Sequence, residues 1–388
     1  MKSHKSLRIL VLLQVIGHPR DSKRIAMLQD AGFEVVALAF ERDYHNGRIP
    51  DCPVESLGKL ENRQYFKRLF KFLAVIPRIR RKAADFDLIY ALGQDVAAMS
   101  QLATLGMKQK VVMEVGDIVR LQLLPGCVGR IIRYIERIFA RHYGLIVVIS
   151  TGFLVDYYRG CLGVSTPALV LENKLEEHLV NFDFSPTPES FKKRGVPFID
   201  RPFRIGYFGV LRDAWSWSVL SELAKRYPDR YEIWFAGKKI VPTDIEQQIE
   251  GYVNMRYLGE YKSPDDLFKL YDAVDMVWAC YAQIGELDWN LRWGRPNRFF
   301  ESCFFGRPVF ARMGADFAKD VVREQIGCCI DTYLIDDVHK QILAIDENQL
   351  AIWEANMKQL PKKMFLYTDE TQYLSDAIRS IIAQKKHT

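Results

Sequence analysis

The sequence predicts an α/β protein built from two doubly wound domains, each a parallel sheet with helices on both faces. Short apolar runs alternate with amphipathic segments along most of the chain, which is typical of parallel strands connected by helices. This alternation occurs in two separate series. A length of 388 residues and a hydrophobic content of 49% are sufficient for two domains with separate cores.

The first series begins with the apolar run LRILVLLQVI near the N-terminus. Basic residues precede this run as in a signal peptide, but it is short and no small-residue cleavage site follows, so we interpret it as a buried strand. A helix over residues 22–31, a stop at Gly32 and a strand over 33–40 complete a β-α-β unit. Further strands are predicted at Asp87–Ala91, Lys110–Val115 and Leu145–Ser150.

The second series begins at Phe203, with predicted strands in RIGYFGV, EIWFAG, MRYLGE and MVWACY and helices near residues 216–226 and 264–271. The segment between the two series is rich in proline and polar residues and has no core periodicity, which indicates a linker. The predicted organisation is an N-terminal domain 1–183, a linker 184–202, a C-terminal domain 203–367 and a final helix in 368–388.

Composition excludes several classes of protein. A mean hydropathy of -0.10 is that of a soluble protein, and no apolar run reaches the roughly 20 residues that a membrane span requires. The seven cysteines form no CxxC pair, so neither a zinc site nor a disulfide framework is predicted and a reducing cytoplasm is expected. The net charge of +6 is not accompanied by a stacking platform or a binding module, which disfavours nucleic acid as a partner.

The most informative segment is Arg295–Arg312, RPNRFFESCFFGRPVFAR. Asn297 follows a proline that marks the start of a short helix, and apolar residues at helical spacing bury one side of it. Glu301 is expected in the first turn, where the helix dipole favours a carboxylate. Gly306 then ends the helix before a short apolar strand.

This segment resembles the donor-site signature of GT-B glycosyltransferases, in particular the large retaining family 4-like group, whose members carry PNK, two apolar residues, E and then GKPV here. The resemblance implies two Rossmann-like domains facing a central cleft, with a C-terminal helix that crosses back to the N-terminal domain. It implies transfer of a sugar from a nucleoside-diphosphate sugar to a hydroxyl of a glycan or lipid-linked acceptor, in cell-surface polysaccharide biosynthesis. Donor sugar, base and acceptor stay undefined.

The resemblance also assigns residues of the donor site. Glu301 matches the carboxylate that accepts hydrogen bonds from the ribose hydroxyls, a task for which its two oxygens suit a diol. In GYFGVLRDAW, Arg212 after Gly209 matches the basic residue that contacts the diphosphate, where a planar cation offsets the departing charge. Asn297 and Arg298 belong to the same loop and helix. Lys238 follows a predicted strand end and is a further phosphate contact, although such a lysine is more often only solvated.

Three positions depart from the family pattern. Trp217 stands near the place of a second basic residue, for which Arg298 is the candidate replacement. Trp293 occupies the place of an upstream glutamate near the sugar, where Asn290, Arg292 or backbone groups are the alternatives. Gly116 replaces a histidine of the N-terminal domain. These departures keep open a second interpretation, a GT-B-shaped nucleotide-sugar-binding or scaffold protein without activity. A nucleotide-sugar epimerase predicts paired histidines that the sequence lacks.

The N-terminal domain is expected to bind the acceptor. Asp117 follows a predicted strand and can orient or deprotonate an acceptor hydroxyl; it can equally cap the next helix. Glu114 is the alternative base. Family resemblance implies retention with the leaving phosphate taking the proton, in which case Asp117 only positions the acceptor. Gly17 would allow a close backbone approach to the donor.

No cofactor or metal is expected beyond the nucleotide sugar itself. The segment DFD at Asp85–Asp87 resembles a metal motif of another glycosyltransferase fold, but it precedes a strand and is interpreted as charge at a strand edge. A helix N-terminus and Arg212 would do the work of a divalent ion.

The segment Arg63–Lys82 combines apolar residues on one helical face with many basic residues elsewhere. This composition is typical of helices that lie on anionic membranes, which attract basic residues by roughly 1 kcal/mol each. An ordinary domain helix with solvated basic residues is the equal alternative. The sequence therefore predicts a cytoplasmic protein that can be peripheral on the inner membrane face.

Overall fold

We describe the protein from a computed structural model, over residues 6–41, 50–59, 65–186, 188, 201–282, 284–285 and 288–384. The chain divides into two compact units. Unit 1 comprises Met1–Asn173 with Thr368–Thr388, and unit 2 comprises Lys174–Tyr367.

Unit 1 is built on a seven-stranded sheet in the order β3-β2-β1-β4-β5-β6-β7. All of its strand pairs are parallel. Its central strands are buried along their whole length, as expected when helices cover both faces. The strands are β1 Arg8–Leu13, β2 Glu34–Glu41, β3 Val54–Lys59, β4 Leu88–Leu92, β5 Lys110–Val115, β6 Leu145–Val148 and β7 Ala168–Val170.

The strand order of unit 1 reverses between β1 and β4, and ligands of doubly wound sheets collect at such a point beyond the carboxyl ends of the strands. The connecting helices carry the side chains that reach this edge. They are α1 Pro19–Asp30, α2 Tyr65–Ala83, α3 Gln94–Ala103, α4 Arg120–Leu123 and α5 Gly126–Ala140, followed by a π-helical segment Phe153–Cys161.

Unit 2 contains a six-stranded parallel sheet in the order β10-β9-β8-β11-β12-β13. Here the order reverses between β8 and β11. The strands are β8 Phe203–Phe208, β9 Tyr231–Ala236, β10 Met255–Tyr257, β11 Met276–Trp278, β12 Val309–Arg312 and β13 Gly327–Ile330. The helices are α6 Ala214–Arg226, α7 Ile245–Gln248, α8 Leu267–Asp272, α9 Trp289–Trp293, α10 Asn297–Phe305, α11 Asp316–Glu324, α12 Ile335–Leu343 and α13 Glu347–Gln359.

The last helix, α14 Glu370–Gln384, packs on unit 1 although it follows unit 2 in the chain. Its inner face includes Ile378 and Ile381, which are buried. The guanidinium of Arg379 donates to the carbonyl of Ala31 at 3.1 Å and lies 4.8 Å from the ring centroid of Phe33. The helix α14 is therefore part of the fold of unit 1.

The division between the units falls at 173/174, not at the predicted 183/184. Leu175 pairs with Leu366 as an isolated parallel bridge, and Leu179 is buried in a core cluster of unit 2. The ring of Phe184 lies 5.3 Å from that of Phe305, centroid to centroid. These apolar side chains fill the core of unit 2, which is why residues 174–184 belong to it. Most of the predicted linker, residues 187 and 189–200, lies outside the described residues.

Two parallel sheets whose strands are connected by helices confirm the predicted α/β fold class. Within the described ranges, none of the helices has the length and hydropathy of a membrane span.

Candidate functional site

At the carboxyl edge of the sheet in unit 2, two glycine turns pack directly against each other. Gly209 follows β8 with φ 109°, and Gly237 follows β9 with φ 116°. A Cβ atom at position 237 would lie 1.9 Å from the carbonyl oxygen of Gly209. Both turns therefore favour glycine for their backbone conformation, and position 237 also requires it for close approach. The predicted residue Gly209 thus shapes the edge at the reversal point of the sheet.

Arg298, the second residue of α10, is buried at this edge. Its Nη2 donates to the hydroxyl of Tyr281 at 2.7 Å and its Nη1 to the carbonyl of Trp278 at 3.3 Å. The guanidinium also lies 4.7 Å from the ring centroid of Tyr207. The end of β11 and the start of α10 therefore hold this cation in one place.

Arg212 reaches the same phenol from the turn after β8. It is exposed, and its positive charge acts on the phenol of Tyr281. Burial raises the pKa of the Tyr281 phenol, but the charges of Arg298 and Arg212 outweigh burial and hold that pKa below its usual value. Sequence reasoning missed Tyr281, although its place just after an apolar strand was a signal. The structure thus brings Arg212 and Arg298 together through one tyrosine.

The sequence predicted Glu301 in the first turn of α10, and this prediction is wrong. The helix begins at Asn297, so Glu301 is its fifth residue and points from the second turn. Its side chain is buried, and its Oε2 accepts a hydrogen bond from the hydroxyl of Tyr271 at 2.5 Å. Burial raises the pKa of Tyr271 well above its usual value, so the phenol stays a donor. The helix dipole of the first turn is therefore not what holds this carboxylate.

Asn297 and Lys238 are both exposed at the carboxyl edge of unit 2. Asn297 is the first residue of α10, and the carbonyl of Lys238 accepts a hydrogen bond from the backbone N–H of Leu211 at 2.9 Å. The turn after β9 is thereby tied to the turn after β8.

The two tryptophans that depart from the family pattern have structural contacts. Trp217 lies with its ring 5.0 Å from that of Phe235 and packs against the core of unit 2. Trp293 ends α9, and the ammonium of Lys319 lies 5.4 Å from its ring centroid. Trp217 therefore cannot supply the missing charge, whereas Arg298 is placed beside Arg212.

In unit 1 the corresponding edge lies at the ends of β1, β4 and β5. Gly17, which was predicted to approach the donor, is buried with φ 91° in the loop between β1 and α1. After β4, Gly93 has φ 124°, and a Cβ atom there would lie 2.4 Å from Cδ of Gln14. The amide of Gln14 donates to Asp95, which lies in the first turn of α3 rather than at its N-cap, Gly93.

Glu114, the alternative base, is fully buried and cannot meet a substrate. Its carboxylate accepts from Nε and Nη2 of Arg24 at 2.7 and 3.1 Å and from the hydroxyl of Tyr90 at 2.6 Å. Burial raises its pKa, but Arg24 and then Arg20 lower it overall. This pair is a structural element of the core.

Asp117 lies exposed in the loop between β5 and α4. The N-cap of α4 is Val119, so Asp117 is not the capping residue. Its position at the carboxyl end of β5 keeps it a candidate acceptor residue.

Gly116, beside Asp117, makes room for a side chain that sequence reasoning missed. A Cβ atom at position 116 would lie 1.1 Å from Nη1 of Arg20, so the guanidinium occupies the space of that side chain. Arg20 is in the first turn of α1. The loss of a family histidine at position 116 was the only sequence signal for this arrangement.

Asp21, next to Arg20, is a buried carboxyl group. Burial raises its pKa to about 7, against the lowering effect of Arg20. Its Oδ1 lies 3.8 Å from Nε of Arg20 and 3.6 Å from Nδ1 of His18.

Glu136 on α5 is also buried and has its pKa raised to about 7 by burial, although its hydrogen bonds lower it. It accepts from Gln122 at 2.6 Å and from Gln94 and Tyr158 at 3.0 Å each, and from Tyr157. This carboxyl connects α5 to α3, α4 and the π-helical segment.

No group of three His, Cys, Asp or Glu side chains within the described ranges is placed to hold a metal. In the DFD segment, the carboxylate of Asp87 accepts from the backbone N–H of Arg8 at 2.9 Å, and the carbonyl of Asp85 accepts from the Arg8 guanidinium at 2.9 Å. These residues fix the start of β1.

Comparison with known proteins agrees with this architecture. Residues 24–174 match the model of the family described as glycosyl transferase 4-like domain. The chain is 28% identical over 337 residues to the succinoglycan biosynthesis protein ExoL of Rhizobium meliloti (strain 1021), covering 84% of this chain and 81% of that protein.

Two solved structures share the fold across nearly the whole chain. Anabaena Alr3699/HepE in complex with UDP has a TM-score of 0.67 at 15% identity, covering 96% of this chain and 100% of that chain. Sucrose-phosphate synthase from Thermosynechococcus elongatus has a TM-score of 0.69 at 13% identity, covering 97% and 100%. The chain therefore has the GT-B fold of these structures, and residues 24–174 are similar to the glycosyl transferase 4-like domain.

Proposed function

We propose that this protein is a glycosyltransferase that moves a sugar from a nucleoside-diphosphate sugar to a hydroxyl of a glycan or lipid-linked acceptor in polysaccharide biosynthesis. The observation that carries the proposal is the convergence of Arg212 and Arg298 on Tyr281 at the reversal point of the unit 2 sheet. The name of the ExoL relative and the UDP bound by HepE support a polysaccharide pathway and a UDP-sugar donor.

The paired arginines are suited to a departing diphosphate. When the bond between the sugar C1 and the diphosphate oxygen breaks, its electron pair stays on the diphosphate, so negative charge grows there. Two cations fixed beforehand stabilise that charge more in the transition state than in the ground state. Arg298 is held by Trp278 and Tyr281 and needs no reorganisation. We propose that these charges make a divalent metal unnecessary.

We propose that Glu301 accepts hydrogen bonds from the donor ribose. Tyr271 holds Oε2 of its carboxylate, which fixes the orientation of the group. A fixed carboxylate recognises a diol without losing side-chain entropy on binding. In unit 1, Asp117 would position the acceptor hydroxyl at the carboxyl end of β5. The hydroxyl oxygen then attacks C1 with retention, and the leaving phosphate takes its proton.

The decisive experiment measures donor binding and turnover separately. Calorimetric titration of the full chain with UDP, GDP and ADP identifies the base, and release of the nucleoside diphosphate from the matching sugar nucleotides reports turnover. The anomer of the sugar first released, read by NMR, reports retention. Binding of a nucleotide sugar with no release, in the presence of acceptor extracts, would instead establish the inactive binding protein. Absence of nucleotide binding would overturn both.

We further propose that the protein works at a membrane. In the predicted segment Arg63–Lys82, residues 63 and 64 and the side chains of 65–69 lie outside the described residues. Most of the basic residues that follow contact the protein: Lys71, Arg78 and Arg80 donate to carbonyls of unit 1, and Lys82 pairs with Glu55. Phe70 is exposed, but Ile79 is buried. This half of α2 behaves largely as a domain helix.

The more suitable membrane surface is on α5. Ile131 and Tyr134 are 58% and 65% exposed, and Val128, Ile135 and Ile138 extend the same apolar face. Beside this face are Arg130, Arg137 and Arg141, all exposed. The only acidic residue from 119 to 141 is Glu136, whose carboxylate is hydrogen-bonded inside unit 1. An apolar face with basic flanks and no exposed acid is complementary to anionic lipid.

A further inference from the structure

Arg20 is a nearly buried arginine with unused hydrogen-bonding capacity. Its side chain is 15% exposed, and among the described residues its guanidinium donates no hydrogen bond; the nearest carboxylate oxygen, Oδ1 of Asp21, lies 3.8 Å from its Nε. An arginine carries five N–H donors in a planar fork. Because leaving a charged group without partners away from water is costly, such a fork is a site prepared for an anion.

Gly116 is what permits this position. A Cβ atom there would overlap Nη1 of Arg20 at 1.1 Å, so no other residue at position 116 is compatible with the observed guanidinium. The backbone of Gly116 is not in a conformation that itself demands glycine. The glycine is therefore explained by the space that Arg20 occupies.

Arg20 and Gly116 lie at the edge of the unit 1 sheet where a ligand is expected. Arg20 is in the first turn of α1, just after β1, and Gly116 directly follows β5. Both are therefore at the carboxyl edge beside the reversal point between β1 and β4. Asp117, the candidate for positioning the acceptor hydroxyl, is the next residue in the chain.

The surrounding charges leave Arg20 available. Arg24 and Glu114 neutralise each other in a bidentate pair. The Nε of Arg20 lies 3.8 Å from Oδ1 of Asp21, which is too far for a hydrogen bond. This carboxylate oxygen accepts no hydrogen bond from the described residues. The positive end of α1 adds to the field at this point.

We propose that the guanidinium of Arg20, in the space left by Gly116, binds an anionic group of the acceptor, a phosphate or a carboxylate, next to the hydroxyl that Asp117 positions. The inference rests on the proposed function, because it names the class of acceptor for the same reaction. A planar fork binds two oxygens of either anion at once. A lipid-linked diphosphate and an acidic sugar both present such oxygens, and so does the diphosphate of the donor.

The test separates these sources with defined probes. Full-length protein saturated with UDP, which occupies the nucleotide site, is titrated by calorimetry with inorganic pyrophosphate and with glucuronate. Wild type is compared with Arg20→Gln, with Arg20→Lys, which keeps the charge but not the fork, and with Gly116→Ala, which displaces the guanidinium. Lys110→Gln, at the exposed amino end of the same β5, controls for the loss of one positive charge. Circular dichroism and thermal unfolding establish that each variant is folded.

We expect Arg20→Gln and Gly116→Ala to weaken the binding of one probe by about 10- to 100-fold, the effect of a charge-assisted bidentate contact, with Lys110→Gln unchanged. The probe affected identifies phosphate or carboxylate. Affinity for UDP measured without the probes should be equal in all variants; its loss in Arg20→Gln would assign Arg20 to the donor and overturn the acceptor proposal. Failure of wild type to bind either probe, or equal affinities in all variants, also overturns it. Intact UDP binding and donor turnover in those cases would leave the proposed function standing.

Discussion

Replacing Arg212 with glutamine tests the proposed chemistry most directly. Arg212 is exposed, so its replacement should change the free energy of unfolding by no more than about 0.5 kcal/mol. In the proposed mechanism, its charge acts on the diphosphate mainly as the glycosidic bond breaks. The loss should therefore resemble removal of one preorganised donor from an oxyanion site, about 3–4 kcal/mol, or roughly 100- to 1,000-fold in kcat.

Donor affinity should fall far less, because Arg298 stays buried in place beside Tyr281 and continues to supply a positive charge to the ground state. We expect roughly a tenfold loss in Kd at most. Single-turnover release of UDP at saturating donor measures the chemical step, and calorimetry measures Kd. Lys225→Gln, an exposed residue at the far end of α6, is the matched control. Equal losses in kcat and in affinity, or no loss in either, would refute the assignment of Arg212 to the departing charge.

Three further predictions concern other parts of the molecule. Glu301→Gln keeps the volume but removes one acceptor from the carboxylate that Tyr271 holds, so calorimetry should show weaker binding of UDP but little change for inorganic pyrophosphate. Ile131→Glu combined with Tyr134→Ser should abolish sedimentation with anionic vesicles at low salt, without changing the release of UDP. In the wild type, the free energy of unfolding should decline between pH 4 and 7, because the pKa of Asp21 rises from 3.8 to about 7 on folding. Asp21→Asn should remove this decline. At pH 8 the variant should therefore be more stable than the wild type by roughly 4 kcal/mol.

The sign of the last effect follows from proton binding. Between pH 4 and 7 the folded state holds the Asp21 proton more tightly than the unfolded chain does, so raising the pH through this window lowers the free energy of unfolding, and no further change occurs above it. The groups that face Asp21 are His18 at the N-cap of α1, Arg20 and Arg24 from α1, and Glu114 from β5. A parallel pH profile in wild type and variant would show that Asp21 titrates normally.

The other two predictions also have outcomes that contradict them. If Glu301→Gln weakens the binding of UDP and of pyrophosphate equally, the carboxylate supports α10 and does not recognise the ribose. If the α5 variant still sediments with vesicles, and Phe70→Ser does not, the membrane surface is α2, as the sequence alone suggested.

The fold was predictable because its signals are local. Buried parallel strands read as short apolar runs, and the glycine after each of several strands marks its turn. The residues of the proposed donor site could be named in part from the sequence, because Arg212, Arg298 and Glu301 fall in recognisable segments. Contacts between distant segments were not: Tyr281 becomes informative only when β11 and α10 place it between two arginines.

The same limit explains the errors in unit 1. Glu114 was named as an alternative base near the end of an apolar strand, but Arg24, with which it pairs, lies 90 residues away in the chain. The sequence did not single out Arg20, because its guanidinium occupies the space that a side chain at Gly116 would fill. The sequence shows that residue 116 is a glycine, but only the structure shows that Arg20, from a distant segment, occupies the space beside it.

The docking of α14 on unit 1 has a consequence for how the protein is made. The first unit lacks the helix α14, with Ile378, Ile381 and Arg379, until residues 370–384 have been synthesised. At about 5–20 residues per second, synthesis of residues 174–367 alone takes roughly 10–40 s. During that interval the nascent chain exposes the apolar surface that α14 later covers, beside Phe33. The second unit, continuous in the chain, can complete its core first, so the order of folding is expected to be opposite to the order of synthesis.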